Sequence, residues 1–462
     1  MKKSAVHDTI IIGGGLSGLS AAVELTGRGA SVLVCEKSSR LGGRTSSFVD
    51  ETTGELVDNG QHLLMGCYSA TRRYLQVIGA EHLADLQENL RIPYLRPGFE
   101  PVILDCPHLP SLLHTGLGLL GFSAIPLADK LGMVSVIKEL LLQSNPKDLD
   151  ALTVKEWLTR LKQSDASKKY LWDVICIGAL NNLPEHVSAS VFFRVLKEIF
   201  LWKRENSCFL LPRAALSELL IDPAVEYIRS HGGEILTNVH IEDLQINGNE
   251  ITSALCSDGT QITAPSYISA VPWYAVNALC PSKTMIEDSA FRSAPIVNIH
   301  VWFDGNVMKE SFAALVGTKI QWLFNVSLLL KNNDHKDSSG QHISCVLSGA
   351  EDYVQLSKEQ LIEIALNDLR AVLPAARNAS IIHWLVVKEK RATFIPAPGL
   401  DAKRPSAKTQ LRNFFLAGDW TNTGFPATIE GAVRSGIQAA QAVKNQELQF
   451  IKPELHSREF GD

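Results

Sequence analysis

The period of the hydrophobic positions changes several times along the chain, and each change marks an element. Thr9–Ile12 is a short, continuous apolar run that leads straight into glycines, as a buried strand would. Leu16–Gly27 follows with small residues on one side, the pattern of a helix packed closely on a sheet. Ser31–Cys35 is a second apolar strand, and the three segments close a β-α-β unit of about 30 residues. From about residue 67 to 205 leucines recur at helical spacing. Between Glu234 and Ala270 short alternating runs take over, punctuated by Asn247-Gly248 and Asp258-Gly259, both hairpin turns. A second strand-rich stretch runs from Pro295 to Gly349, and its polar interruption Lys331–Gln341 reads as a long hairpin connection. Phe414–Ala417 is another apolar strand. A helix of glycine and small residues then ends near Lys444, and the polar tail from Asn445 is expected to be peripheral or frayed.

One stretch raises a membrane question. No formal charge occurs between Asp105 and Asp129, and Leu109–Ala128 has the length of a spanning helix. It also holds Pro110, Pro126, His114 and three glycines. Those residues favour a buried or substrate-lining helix–loop–helix, or a face dipping into one leaflet, over a true span.

Composition narrows the classes. A chain of 462 residues is long enough for two or three cores, and 45% hydrophobic with 20% charged residues is an ordinary globular balance. A net charge of -5 provides no basic field, so nucleic acid is not an expected partner. The eight cysteines are scattered without a Cys-x-x-Cys pair, which argues against zinc and fits thiols kept reduced in a cytosol. The histidines show no metal spacing, and the short polar start Met1–His7 does not read as a signal peptide.

The chemistry begins at Gly13-x-Gly15-x-x-Gly18, directly after one strand and opening a helix. Gly13 permits a tight turn, Gly15 lets the backbone approach a pyrophosphate, and Gly18 allows close packing of helix on strand. Glu36 ends the second strand, where its carboxylate can accept hydrogen bonds from a ribose diol. This half-site indicates a dinucleotide without choosing between NAD and FAD. Leu41-Gly42-Gly43-Arg44 adds a glycine pair from which Arg44 can reach phosphate bidentately. Far away, Leu416-Ala417-Gly418-Asp419 ends a strand and Pro426–Gly436 opens a helix. A helix N-terminus there can face the electron-rich pyrimidine end of a reduced flavin. The two half-sites lie at opposite ends of the chain, so the binding domain is discontinuous.

Together, residues 13–45 and the stretch LAGDW…ATIEGAVRSG resemble the flavin amine oxidase and carotenoid desaturase superfamily. Within it the chain looks most like the hydroxysqualene dehydroxylases. Asp58–Tyr68, Ala179–Ser190, Leu210–Leu220 and Leu416–Gly436 carry that closer likeness. The resemblance implies an α/β fold: a discontinuous Rossmann-like FAD-binding domain (residues 1–100, 206–280 and 406–445), a helical apolar subdomain facing substrate and membrane (101–205), a mixed-sheet substrate domain (281–405) and a polar tail (446–462). It assigns the adenosine and pyrophosphate of FAD to Gly13, Gly15, Gly18, Glu36, Gly42, Gly43 and Arg44, and the adenine to the backbone of Val239. Asp419 would stand near the ribityl chain, and Ala427, Thr428 and Ile429 beside the flavin ring. Gln61 and His62 would lie against the reacting face, with Asp58 and Asn59 in a supporting turn and Asn181 and Asn182 as further candidates. His62 is the expected acid, with Asp58 holding its proton. Amine oxidases of the superfamily often carry a lysine in a substrate-domain strand, where this chain reads Pro295–Phe303 and aligns Asn298. The implied reaction is reduction of hydroxysqualene to squalene with electrons from an unidentified donor; a carotenoid or phytoene-type desaturase is the alternative. An amine or protoporphyrinogen oxidase is a further one, which the missing lysine and the apolar middle region disfavour. The implied partners are a hydrophobic isoprenoid and, through peripheral contact, the inner face of the membrane of a cytoplasmic protein.

Overall fold

The computed structural model describes residues 7–143, 146–280, 286–330 and 340–457. Strands β1 (Thr9–Ile12) and β2 (Val32–Cys35) pair in parallel, flanking the helix α1 (Leu16–Thr26) in sequence. Glu234–Leu236 extends the sheet beyond β2, and Ser266–Ser269 followed by Phe414–Leu416 extends it beyond β1, all in parallel. Every residue of β1, β2, Ser266–Ser269 and Phe414–Leu416 is buried, as a parallel sheet covered on both faces requires. The sheet therefore draws on the beginning, middle and end of the chain. Its ends are tied by α1 lying against the helix Ile429–Ser457. A methyl on Gly436 would stand 2.3 Å from the Ser17 carbonyl oxygen, so only hydrogen fits at the crossing.

The second sheet has seven strands in the order 381–394, 293–303, 341–348, 322–325, 312–315, 91–96 and 99–105. All neighbours are antiparallel except Phe312–Leu315 with Arg91–Arg96. The expected domain border at residue 100 thus falls inside a hairpin of this sheet. Along Ser293–Phe303 the side chains alternate. Val297, Ile299, Val301 and Phe303 pack towards the helix Lys358–Val372, and Asn298, His300 and Trp302 take the other face. On that face a hairpin of the first domain is clasped, formed by β3 (Ser47–Val49) and β4 (Leu56–Asp58). Trp302 donates to Glu55 at 2.9 Å, and His383 pairs with Asp50 at 3.2 Å.

The leucine-rich region is helical as its spacing predicts, and its core holds Trp157, Phe192 and Phe193. Leu109–Ala128 becomes the helix Ser111–Gly121 and the start of Leu127–Leu142. Among the described residues no helix is long and apolar enough to cross a membrane. The last helix runs on to Ser457, well past the expected end at Lys444, because Gln446, Glu447, Leu448 and Gln449 are good helix formers. Most of the expected loop at Lys331–Gln341 lies outside the described residues; the strands Trp322–Asn325 and Gln341–Ser348 around it do pair antiparallel.

Candidate active site

The cradle is made by backbone. Gly13 takes φ +110, and a methyl on Gly18 would stand 2.0 Å from the Gly13 carbonyl oxygen. Gly15 starts α1 with no capping side chain, and a methyl built on it meets no atom within 4 Å. The first amides of α1 therefore open onto unobstructed space, the setting in which a helix N-terminus binds phosphate. Glu36 accepts from the amides of Gly14 (2.7 Å) and Ser38 (2.8 Å), one on each carboxylate oxygen. Each oxygen keeps a lone pair for a ribose hydroxyl. The Val239 amide donates to the Glu36 carbonyl at 2.9 Å, so only its own carbonyl is left to address a base. Gly42 (φ +92) bridges to Gly15, which brings the Gly42-Gly43 turn against the mouth of α1.

Arg44 departs from expectation. Its guanidinium donates to Asp419 (2.8 Å) and to the Ala392 carbonyl (2.6 Å) rather than reaching forward as a free bidentate fork. Asp419 is buried, and a buried carboxylate needs a cation beside it more than a surface arginine needs a phosphate. Two residues assigned separately to the cofactor are thus partners across 375 positions. Arg404, which nothing in the sequence singled out, holds the same turn from behind by donating to the carbonyls of Asp419 (3.0 Å) and Trp420 (3.4 Å). At the helix Ile429–Ser457, the Thr428 hydroxyl accepts from the Gly431 amide at 3.1 Å and acts as its cap.

A single cavity of about 830 Å³ connects these parts. It is lined by Gly13, Gly15, Glu36, Val239, Asp419, Ala427 and Thr428, among others, and continues past the flavin end between apolar walls such as Leu104, Leu119, Ile175, Val195 and Phe324. Open space at Gly15, the pinned carboxylate of Glu36 and the capped second helix together fit FAD.

Polar groups are fewer than apolar ones in this part, and among them are Gln61, His62, Tyr68, Glu198 and Asn298. His62 Nδ1 lies 2.5 Å from the Gly60 carbonyl oxygen. A carbonyl only accepts, so Nδ1 carries the hydrogen, and the neutral ring offers Nε2 as an acceptor. Burial holds His62 below the ordinary histidine range, with the Gly60 contact opposing it. The expected neighbour is elsewhere. Asp58 Oδ1 accepts from Ser47 (2.6 Å) and from the Leu216 amide (2.9 Å), and burial pushes Asp58 up to about 6. It fastens the turn before Ser217–Ile221 instead of holding a proton on His62.

Asn181 and Asn182 are structural. Asn181 bonds Thr393 and the Gly349 amide, both at 2.9 Å, and Asn182 bonds Glu351 and the Leu183 amide, both at 2.8 Å. Glu198 was missed, although Val195, Glu198 and Ile199 place an acid within a helical apolar stripe. Burial in the cavity wall raises its carboxyl above the usual range.

Residues 16–444 match the family described as flavin containing amine oxidoreductase, and the chain belongs to that family. It is an FAD-dependent oxidoreductase. The chain is 30% identical to a hydroxysqualene dehydroxylase of Sinorhizobium fredii over 93% of its length and 96% of that protein's. It is 25% identical to a zeta-carotene desaturase of Synechocystis over 94% of its length and 96% of that protein's. Among solved structures, a putrescine oxidase triple mutant shares the fold, with a TM-score of 0.72 at 16% identity over 95% of this chain and 99% of that one.

Proposed function

We propose that this enzyme reduces hydroxysqualene to squalene by removing its allylic hydroxyl. The observation that carries the reading is the cavity: beside the cofactor cradle it presents a small polar group, Gln61, His62 and Asn298, set in long apolar walls. An isoprenoid with one hydroxyl has that same distribution of polarity. The strand Ser293–Phe303 contains no lysine in any register, which speaks against amine oxidation. The likeness to hydroxysqualene dehydroxylases over nearly the whole chain supports the same choice.

The reaction balances as follows. The carbon–oxygen bond breaks with its electron pair on oxygen, a proton joins the oxygen to release water, and reduced FAD, when bound, supplies the hydride that completes the carbon. An external two-electron donor must then restore the reduced state. The apolar walls keep water from the allylic cation. His62, in its protonated form, stands where it can give the proton to the leaving oxygen, with Gln61 orienting that oxygen. Because burial disfavours the imidazolium, this step runs faster as pH falls through and below the ordinary histidine range.

Substrate and product are insoluble in water, and the helix Ser111–Gly121 links cavity and surface. Its inner side, Thr115 and Leu119, lines the cavity, whereas Leu113 (62% exposed), Leu117 (47%) and Leu120 (51%) face outward beside Leu127 and Leu131. This outer face docks peripherally on one leaflet of the cytoplasmic membrane surface.

The test is anaerobic incubation of photoreduced holoenzyme, and in parallel of oxidised holoenzyme, with hydroxysqualene, phytoene and a polyamine, with products identified by mass. Squalene alone is expected. Desaturation of phytoene by the oxidised enzyme, with hydroxysqualene untouched, would favour a carotenoid-type desaturase.

A further inference from the structure

Asn298 is 1% exposed, yet it lines the cavity close to Gln61 and His62. Its amide nitrogen donates to the Asn59 carbonyl at 3.1 Å. Since a carbonyl cannot donate, that bond decides which end of the side chain is nitrogen and leaves Oδ1 as the other end. The contact is tight, because a methyl on Gly60 would stand 2.8 Å from Asn298 Nδ2. Oδ1 itself is buried and has no hydrogen-bond partner among the described residues.

The neighbouring strands explain why. Opposite Asn298 stand Val346 and Val387, whose side chains offer no donor, and the next polar residue on the same face, His300, is engaged with His342 at 3.0 Å. Asn181, which lines the same cavity, makes the contrast, because both ends of its amide are bonded within the protein. A buried acceptor without a donor is costly, so Asn298 Oδ1 calls for a donor among the contents of the cavity.

We propose that Asn298 Oδ1 accepts the hydrogen bond of the substrate's hydroxyl, and that this bond selects an isoprenoid alcohol over a hydrocarbon of the same length. The inference rests on the dehydroxylase reading above and adds to it the group that recognises the alcohol. A hydroxyl donates one hydrogen bond and accepts two. With its hydrogen held by Asn298, its lone pairs are free to face Gln61 and His62, where the proton must arrive.

The experiment measures equilibrium binding to oxidised holoenzyme, where no reduction occurs, for hydroxysqualene, its O-methyl ether and squalene. Wild-type protein is expected to bind the alcohol about tenfold more tightly than either the ether or squalene, the worth of one hydrogen bond. Asn298→Leu that carries FAD should bind the alcohol and squalene alike, the ratio of the two affinities being the readout. An Asn298→Leu protein that keeps the full preference for the alcohol overturns the inference. So does wild-type protein that binds the ether as tightly as the alcohol, a result that requires no variant to fold. In both cases conversion of hydroxysqualene by reduced wild-type enzyme leaves the dehydroxylase reading standing. Failure of that conversion, with no preference for the alcohol, removes both.

Discussion

The two halves of the cavity are built from different material. In the cradle the working parts are backbone: a left-handed turn at Gly13, open amides at the start of α1, and a second helix mouth capped by Thr428. In the chamber they are side chains, delivered by the turn after β4, by the helix Ala189–Phe200 and by the strand Ser293–Phe303. Backbone sites tolerate almost no side chain, so they leave glycines at fixed spacing. Side-chain sites leave residues that resemble their neighbours, such as one asparagine in an apolar strand. The same contrast separates what can be changed: one fold hosts many chemistries, and on the proposed reading the chamber is where the substrate is chosen.

The largest effects should come from the cradle, and there two glycines part company. Gly18→Val drives a side chain into the Gly13 carbonyl and should give insoluble or colourless protein. Gly15→Val has room for its side chain and an extended backbone (φ -73, ψ 173), so it should fold with a melting temperature within about 2 °C of the FAD-free wild-type protein. It should nevertheless retain no FAD, because the new methyls occupy the pyrophosphate's approach. Absorbance at the flavin band and thermal melting decide both. A yellow Gly15→Val protein would break the comparison.

Next in size is His62, the proton donor proposed for the chamber. His62→Ala should keep FAD and bind substrate, yet lose about 100-fold or more in single-turnover dehydroxylation, and His62→Gln should not rescue it. The wild-type rate should climb as pH falls towards and below the usual histidine value. A rate that is flat with pH, or a near-normal His62→Gln enzyme, makes His62 a packing residue.

The outer face of Ser111–Gly121 comes third. Leu113, Leu117 and Leu120 replaced together by Asp should reduce partition to liposomes by about tenfold or more, with soluble turnover preserved. Leu119→Asp, pointing into the cavity, should instead impair catalysis and leave partition alone. The reverse pattern would place the membrane contact elsewhere.

The smallest effect on activity is expected at Asp58, whose change shows in stability. Asp58 is raised by burial to about 6 in the folded protein, so its contribution is present in full at low pH and is lost as pH rises through that value. Wild-type stability should therefore fall between about pH 4 and 7, by on the order of 3 kcal/mol from this group. Asp58→Asn keeps an acceptor for Ser47 and Leu216 and should flatten that dependence. Denaturant titrations at several pH values measure it.

How much of this was legible beforehand follows the same division. The first β-α-β unit, both glycine motifs and the discontinuous cofactor domain could be read directly, because φ at Gly13 and close packing at Gly18 permit so few residues. The ion pair of Arg44 with Asp419 could not be read, since the two residues lie at opposite ends of the chain. The pairing of His62 with Asp58 failed for a local reason: nearness in sequence says nothing about direction across a strand end, and Asp58 turns towards Ser47. The open end of Asn298 was invisible because its side-chain partner, Asn59, lies 239 positions away. Arg404 was invisible because its partners are mostly backbone carbonyls of the Asp419–Thr421 turn, which leave no pattern in the sequence. Glu198 could have been found, because an acid inside a helical apolar stripe is a signal in itself.

The most direct measurement of the central claim is an anaerobic single-turnover titration of reduced holoenzyme with hydroxysqualene, following flavin absorbance and squalene together. One squalene should form for each flavin reoxidised, with a common rate constant for the two signals. Flavin that stays reduced in saturating hydroxysqualene, with no squalene formed, would contradict the account.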